Sequence, residues 1–319
     1  MKKLTNLLIL GSIFLIIIGM IIFVVTLSIN KWDFTTLHPT TISTNTYEIT
    51  DDFTNITIDE SECDLDIVYI TEGVSVVKEV SNKLHIVKVK DDTLTIKEQD
   101  NRAWYEYLFD FADTEMTLYL NKNTFGNLTI NSSTGDIKIS NKFTFKSVNI
   151  ESSTSDIEFN SKVLEDIKIY LSTGDIEISD VTASNIDLRV STGEVEIENL
   201  SCVNELKINV STGKTTLDNV TCKDFYSTGS TGKIFLNNVI ISNNMDIKRN
   251  TGDVKLDKCD ALNIFIETST GDVKGTLLSN KIFNVETDTG DKRVPESMTG
   301  GKCNITTNTG DIIIEVLNK

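Results

Sequence analysis

The sequence predicts an all-β fold: a single-stranded parallel β-helix, or β-solenoid, with coils of about 20 residues, preceded by one N-terminal transmembrane helix. Three observations predict it. A Ser-Thr-Gly-Asp motif or a near variant recurs at gaps of 19 or 20 residues. The residues on both sides of that motif alternate between apolar and polar. Residues 7–29 form one uncharged, apolar run.

The run from Leu7 to Ile29 is 23 residues long. A helix needs about 20 apolar residues to cross a bilayer core. Lys2 and Lys3 precede it, and Lys31 and Trp32 close it as interfacial residues do. A cleaved signal peptide would have a shorter apolar region followed by small residues. Here Thr26-Leu27-Ser28-Ile29-Asn30 offers no such site. The expectation is an uncleaved signal-anchor at residues 7–29, a single pass through the cell membrane. The balance of lysines places residues 1–6 in the cytoplasm and the C-terminal domain outside the cell. Residues 30–52 read as a linker.

The solenoid is expected over residues 53–319, degenerate at 53–127 and regular at 128–319. Ile56-Thr57-Ile58 followed by Cys63-Asp64-Leu65-Asp66-Ile67 matches the repeat, with Cys63 where glycine normally stands. Alternating strands follow at Leu84–Val89, Leu94–Lys97 and Met116–Leu120. Trp104, Tyr107, Leu108 and Phe111 have helical spacing, which predicts a short helical insertion near 100–112 that covers core or a sheet edge. From residue 53 onward there is room for roughly 13 coils.

In the regular part the glycine position falls at Gly135, Ser155, Gly174, Gly193, Gly213, Gly232, Gly252, Gly271, Gly290 and Gly310. Seven residues earlier stand Leu128, Val148, Ile167, Ile186, Leu206, Phe225, Met245, Ile264, Phe283 and Cys303. Five earlier stand Ile130, Ile150, Ile169, Leu188, Ile208, Ser227, Ile247, Ile266, Val285 and Ile305. Two later stand Ile137, Ile157, Ile176, Val195, Thr215, Ile234, Val254, Val273, Lys292 and Ile312. Spacing by two on both sides of a turn means two short strands with alternate residues inward. One such unit cannot bury its apolar face alone, and stacking copies buries it continuously. Glycine suits the sharp corner because it takes positive φ at no steric cost. Ser155 predicts a corner that is strained or differently shaped.

A net charge of −17 argues against nucleic acid as a partner, since phosphates demand Lys and Arg. His38 and His85 lie far apart, and no HExxH, CxxC, GxSxG or P-loop motif occurs. No catalytic or cofactor-binding residue is assigned. The one candidate metal set is the corner column Asp136, Asp156, Asp175, Asp253, Asp272, Asp291 and Asp311, where stacked carboxylates would accept Ca²⁺. The competing reading is that each Asp satisfies its own turn. Cys202 and Cys222 stand in register, so a disulfide between them is geometrically possible. Cysteines facing inward as small hydrophobes explain these two, Cys259 and Cys303 equally well.

The degenerate opening Ile56–Ile67, the segments Leu94-Thr95-Ile96 and Met116-Thr117-Leu118-Tyr119-Leu120, and the repeated Leu-x-Ile-x-x-Ser-Thr-Gly-Asp-Ile-x-Ile unit resemble a bacterial family of β-helical putative adhesin domains over about residues 50–319. One departure is Asn121-Lys122, where relatives often show a proline. The resemblance implies a Gram-positive cell-envelope protein and carries no catalytic residues with it. The reading that follows is a non-enzymatic, membrane-anchored extracellular solenoid, an adhesin or envelope scaffold that binds an envelope protein or cell-wall glycan. The alternative is a sensory or regulatory ectodomain of an envelope-stress system. A polysaccharide-acting β-helix enzyme ranks lower, because Arg189, Arg249 and Arg293 fall in different columns and the repeats hold no histidine.

Overall fold

The computed structural model describes residues 2–29, 31–32, 42–99 and 114–317, with the backbone alone at residues 2–8. The helical insertion expected near 100–112 lies outside the described residues.

A helix spans Lys2–Ile29. Its segment Ile9–Ile29 has a mean hydropathy of 2.9 and is long and apolar enough to cross a membrane. Side chains from Ile9 to Val25 are exposed on every face, so the helix has no polar side to turn toward water.

The strands from Ser43 to Val316 form one hydrogen-bonded system. Its body is a parallel β-solenoid of about ten turns. The register is strict. Thr134 stacks on Thr154, then Thr173, Thr192, Thr212, Thr231, Thr251 and Thr270 follow one above another. The column Leu128, Val148, Ile167, Ile186, Leu206, Phe225, Met245, Ile264 is fully buried, as is most of the column two residues on. Burying one such side chain stabilises the fold by about 1.5–3 kcal/mol. The stacking of coils is therefore driven by these columns. Phe53, Phe125, Phe143 and Phe145 add an aromatic stack, with ring centroids 5.6–6.0 Å apart.

Five successive coils have a second corner that periodicity did not reveal. Six residues after the glycine slot, Asp180, Asn199, Asn219, Asn238 and Lys258 all adopt the left-handed conformation, with φ between 50° and 57°. Asn and Asp tolerate that region best among non-glycine residues. Their side chains form a ladder along the axis. Asn199 Nδ2 donates to Asp180 Oδ1 at 3.0 Å, Asn219 Nδ2 to Asn199 Oδ1 at 3.2 Å, and Asn238 Nδ2 to Asn219 Oδ1 at 2.8 Å. Ser155 is not among the positive-φ residues. Its corner is differently shaped, and its Oγ bonds Ser152 Oγ at 2.5 Å. Cys63 does stand in a glycine slot, against Gly135 of the coil that stacks on it.

Chain order and spatial order part company at both ends. Strand Gly301–Thr309 lies between the strand ending at Thr270 and strand Lys281–Thr289, because Thr309 pairs with both Thr270 and Thr289. The reason is legible in the side chains. Cys303, Ile305, Ile312 and Ile314 are apolar and fully buried. The preceding repeat carries Lys292 in an inward slot, so it takes the outermost place, with Lys292 and Arg293 exposed. Charge on an edge strand discourages further pairing. At the other end, Asn55–Asp59 lies between Thr124–Thr134 and Thr93–Gln99. Asp64–Tyr69 likewise lies between Ile137–Ile139 and Glu115–Leu120.

Beyond these, the sheet turns antiparallel. Leu84–Lys90 pairs with Thr93–Gln99, and Ser75–Ser81 pairs with both Glu115–Leu120 and Ser43–Ile49. These hairpins are why the turns number about ten and not roughly 13. Strand Ser43–Ile49 falls inside the segment read from sequence as linker.

Candidate functional site

The glycine corner positions the seven candidate aspartates in one column. Asp136, Asp156 and Asp175 are consecutive, Glu194, Lys214 and Lys233 follow, and then come Asp253, Asp272, Asp311 and Asp291 in spatial order. Asp136, Asp156, Asp175, Asp253, Asp272 and Asp311 each cap a backbone N–H of the neighbouring coil. Asp156 Oδ1 accepts from the N–H of Asp175 at 2.8 Å, Asp175 Oδ1 from Glu194 at 2.7 Å, and Asp272 Oδ1 from Asp311 at 2.8 Å. Ammonium groups screen the far half of the column. Lys233 Nζ lies 2.9 Å from Asp253, and Lys274 Nζ lies 2.6 Å from Asp272 and 3.1 Å from Asp311. Lys233 holds the Asp253 carboxyl below its ordinary pKa. Asp175→Ala should cost about 1 kcal/mol, since it orphans the N–H of Glu194, whereas Asp175→Asn keeps the acceptor and should be nearly neutral. Urea melts of both variants, in EDTA and in millimolar Ca²⁺, check this. A stabilisation by Ca²⁺ that Asp175→Asn abolishes would replace the capping account with a metal site.

The strand before the corner presents a different surface. One outward column runs Lys168, Asp187, Lys207, Tyr226, Asp246, Phe265, and the next runs Glu151, Tyr170, Arg189, Asn209, Thr228, Lys248. The Arg189 guanidinium lies 4.6 Å over the Tyr170 ring and bonds Asp187 at 2.7 Å. Tyr170 donates to Asp187 Oδ2 at 3.1 Å. Lys207 sits 5.9 Å over Tyr226. Partly exposed rings are thus held flat among charged and amide groups. A shallow depression lined by Asp59, Asn131, Glu151 and Tyr170 adjoins this strip.

The most unusual chemistry lies at the N-terminal end, where sequence reasoning assigned nothing. Glu60, Glu79, Lys83 and His85 are all buried. His85 Nε2 meets Glu60 Oε2, and its Nδ1 meets Glu79 Oε2. Glu79 Oε1 also accepts from Tyr47 and Asn45, each at 2.9 Å. Lys83 Nζ donates to Ser61 Oγ at 2.7 Å and Glu98 Oε2 at 3.1 Å. Burial alone would lower the His85 pKa, but the hydrogen bonds and charges of Glu60 and Glu79 outweigh it and push the imidazole up to about 9. Burial opposes the charged form of Glu79 too, and the bonds from His85, Asn45 and Tyr47 hold its pKa below the ordinary carboxylate range. Glu60, His85 and Glu98 bring ligand atoms within 4.8 Å of one another, a spacing that a cation could bridge. Lys83 supplies positive charge beside Glu98. No sequence signal marks the cluster, because on strand Ser75–Ser81 the buried face carries Ser75, Val77, Glu79 and Ser81 while Val76 and Val80 lie on the other face.

All five cysteines are free thiols and buried. Cys202 Sγ points at the carbonyls of Ser184 and Glu205, and Cys222 Sγ at that of Asp224. Burial pushes the thiols of Cys202 and Cys259 up to about 11. Thiolate is the reactive form, so the native protein should resist iodoacetamide at pH 8. All five thiols should react in denaturant without any reductant, counted by intact mass.

Fold and surface together define an extended β-solenoid with a capped N-terminal end and an apolar N-terminal helix. The chain belongs to the Toastrack DUF4097 family, which matches residues 47–203 and again 201–319. No curated protein matches it. Among solved structures it is similar to a putative lipid binding protein from Parabacteroides distasonis ATCC 8503, at 16% identity and a TM-score of 0.47, over 73% of this chain and 94% of that one. It is also similar to a putative adhesin from the same organism, at 14% identity and a TM-score of 0.48, over 87% and 98%. A putative adhesin from Bacteroides fragilis NCTC 9343 aligns at 13% identity and a TM-score of 0.39, over 86% and 97%. Similarity of this degree concerns the fold and says nothing of function.

Proposed function

We propose that the chain is a non-enzymatic binding module of the cell envelope, tethered by residues 7–29 with residues 1–6 in the cytoplasm and the solenoid outside. The tether reading rests on the length of the apolar helix and on Lys2 and Lys3 before it. The binding reading rests on one observation: the outward columns hold Tyr170, Tyr226 and Phe265 among Asp187, Arg189, Lys207 and Asn209 on a regular strand face. Flat rings flanked by hydrogen-bonding groups suit the alternating apolar and hydroxyl faces of a glycan. The repeat extends such a face over many coils, which suits a polymer.

The test uses the full chain in detergent micelles, mixed with insoluble cell-wall polymer and sedimented. Wild-type protein should co-sediment. The double variant Tyr170→Ala, Tyr226→Ala should bind roughly tenfold more weakly with an unchanged melting curve. Equal retention of both proteins, or retention of neither, would remove the strand face as the binding surface.

A further inference from the structure

We propose that the solenoid core holds a small monovalent anion, of the size and charge of chloride, against the guanidinium of Arg249. Arg249 is 3% exposed and lies in an inward column that holds Leu171, Val190 and Val210, with Gly229 and buried Thr268 as its direct neighbours. Its bonds go only to neutral oxygens. Nη1 donates to the Lys248 carbonyl at 3.1 Å, and Nη2 to Ser227 Oγ at 3.1 Å and Thr215 Oγ1 at 3.4 Å. Nε is buried and has no partner. No carboxylate pairs with Arg249 among the described residues.

The surroundings are built for this side chain. Ser227 replaces the Ile or Leu of its column, Thr215 replaces the Ile or Val of its own, and both are 0% exposed. Gly229 stacks directly beneath Arg249, and a Cβ there would come within 2.7 Å of Nη1. Three positions in neighbouring coils have therefore given up apolar volume around one cation. The result is a cluster of polar groups inside an apolar core, with the hydroxyl protons of Ser227 and Thr215 left to donate.

Charge balance then points to the occupant. A guanidinium keeps its proton at neutral pH, even where burial lowers its pKa to about 10. An uncompensated buried charge is among the most destabilising features a core can contain. One negative charge is missing, and the donors beyond these bonds are Nε–H, the second hydrogen on Nη1 and two hydroxyls. A halide, which accepts from several donors without directional demands, fits that set. A dianion would restore the imbalance with the opposite sign.

Two measurements test the proposal on the full chain in detergent. The first is thermal unfolding at constant ionic strength, with gluconate replaced by chloride or bromide. At a halide concentration ten times the dissociation constant, the ratio of folded to unfolded protein should rise about tenfold. Arg249→Met should remove the dependence. The second uses wild-type crystals soaked in bromide, and keeps the question decidable if Arg249→Met fails to fold. An anomalous peak is expected within hydrogen-bonding distance of Nε. A water without anomalous signal at that place, or an unchanged halide response in a folded Arg249→Met variant, would overturn the proposal.

Discussion

Replacing Gly213 with alanine should destabilise the solenoid by roughly 3–5 kcal/mol, measured by urea unfolding of the detergent-solubilised chain. Two effects act together. Gly213 has φ of 146°, a conformation that L side chains rarely adopt. A Cβ there would stand 1.7 Å from the backbone oxygen of Gly193 in the coil that stacks against it. A flexible side chain could move aside, but a backbone carbonyl in a parallel ladder cannot move without parting two coils. The matched control is Ser155→Gly. Ser155 sits in the same column with ordinary φ, so its loss should change stability by about 1 kcal/mol or less. If Gly213→Ala and Ser155→Gly had equal effects, close approach at the corner would not be what glycine provides.

The second large effect belongs to the buried ionic cluster. His85→Leu should cost roughly 3–5 kcal/mol at pH 6, because it strips Glu60 and Glu79 of the cation they share while leaving both buried. The pH dependence carries a definite sign. The folded His85 pKa of about 9 lies above its ordinary 6.5. Its contribution is therefore complete below pH 6.5 and disappears as pH rises through about 9. Glu79 and Glu98 titrate below their ordinary range. Their contributions are present above the ordinary carboxylate pKa and are lost as pH falls through the depressed folded values. Wild-type stability should thus peak on the mildly acidic side of neutral and decline toward pH 10. In His85→Leu the decline between pH 6.5 and 9 should vanish, leaving the loss above pH 9 that buried thiols such as Cys202 and Cys259 bring. A variant whose stability fell through that window as steeply as wild type would show that another group titrates there.

The body of the fold was legible in the sequence because inward and outward residues alternate with period two and the repeat length scarcely varies. Leu128 through Ile264 announce their column without any knowledge of the structure. The threading of the ends was not. Ile305 and Ile312 fit an inner or an outer coil equally well, and only Lys292 in an inward slot hints that its repeat stands outermost. The ionic cluster was hidden for a different reason. Glu60, Glu79, His85 and Glu98 come from different stretches of chain, and each reads alone as an ordinary charged residue on a polar face. What joins them is the antiparallel capping of the N-terminal coils, a long-range pairing that no local pattern records. The asparagine ladder at the second corner lies between these cases. Asn199, Asn219 and Asn238 recur in register, but a column of polar residues reads as solvent-facing until its φ angles are known.

The threaded ends bear on how such a chain can change length over generations. A simple stack could lengthen or shorten at its tips, since each unit touches only its neighbours. Here strand Gly301–Thr309 sits one place in from the tip, and so does Asn55–Asp59. Deleting strand Gly301–Thr309 would remove the partner that both of its neighbours pair with. A unit duplicated between Thr144 and Thr270 would meet the same partners above and below as its template. A coil repeated in the middle would therefore leave both threaded ends as they are.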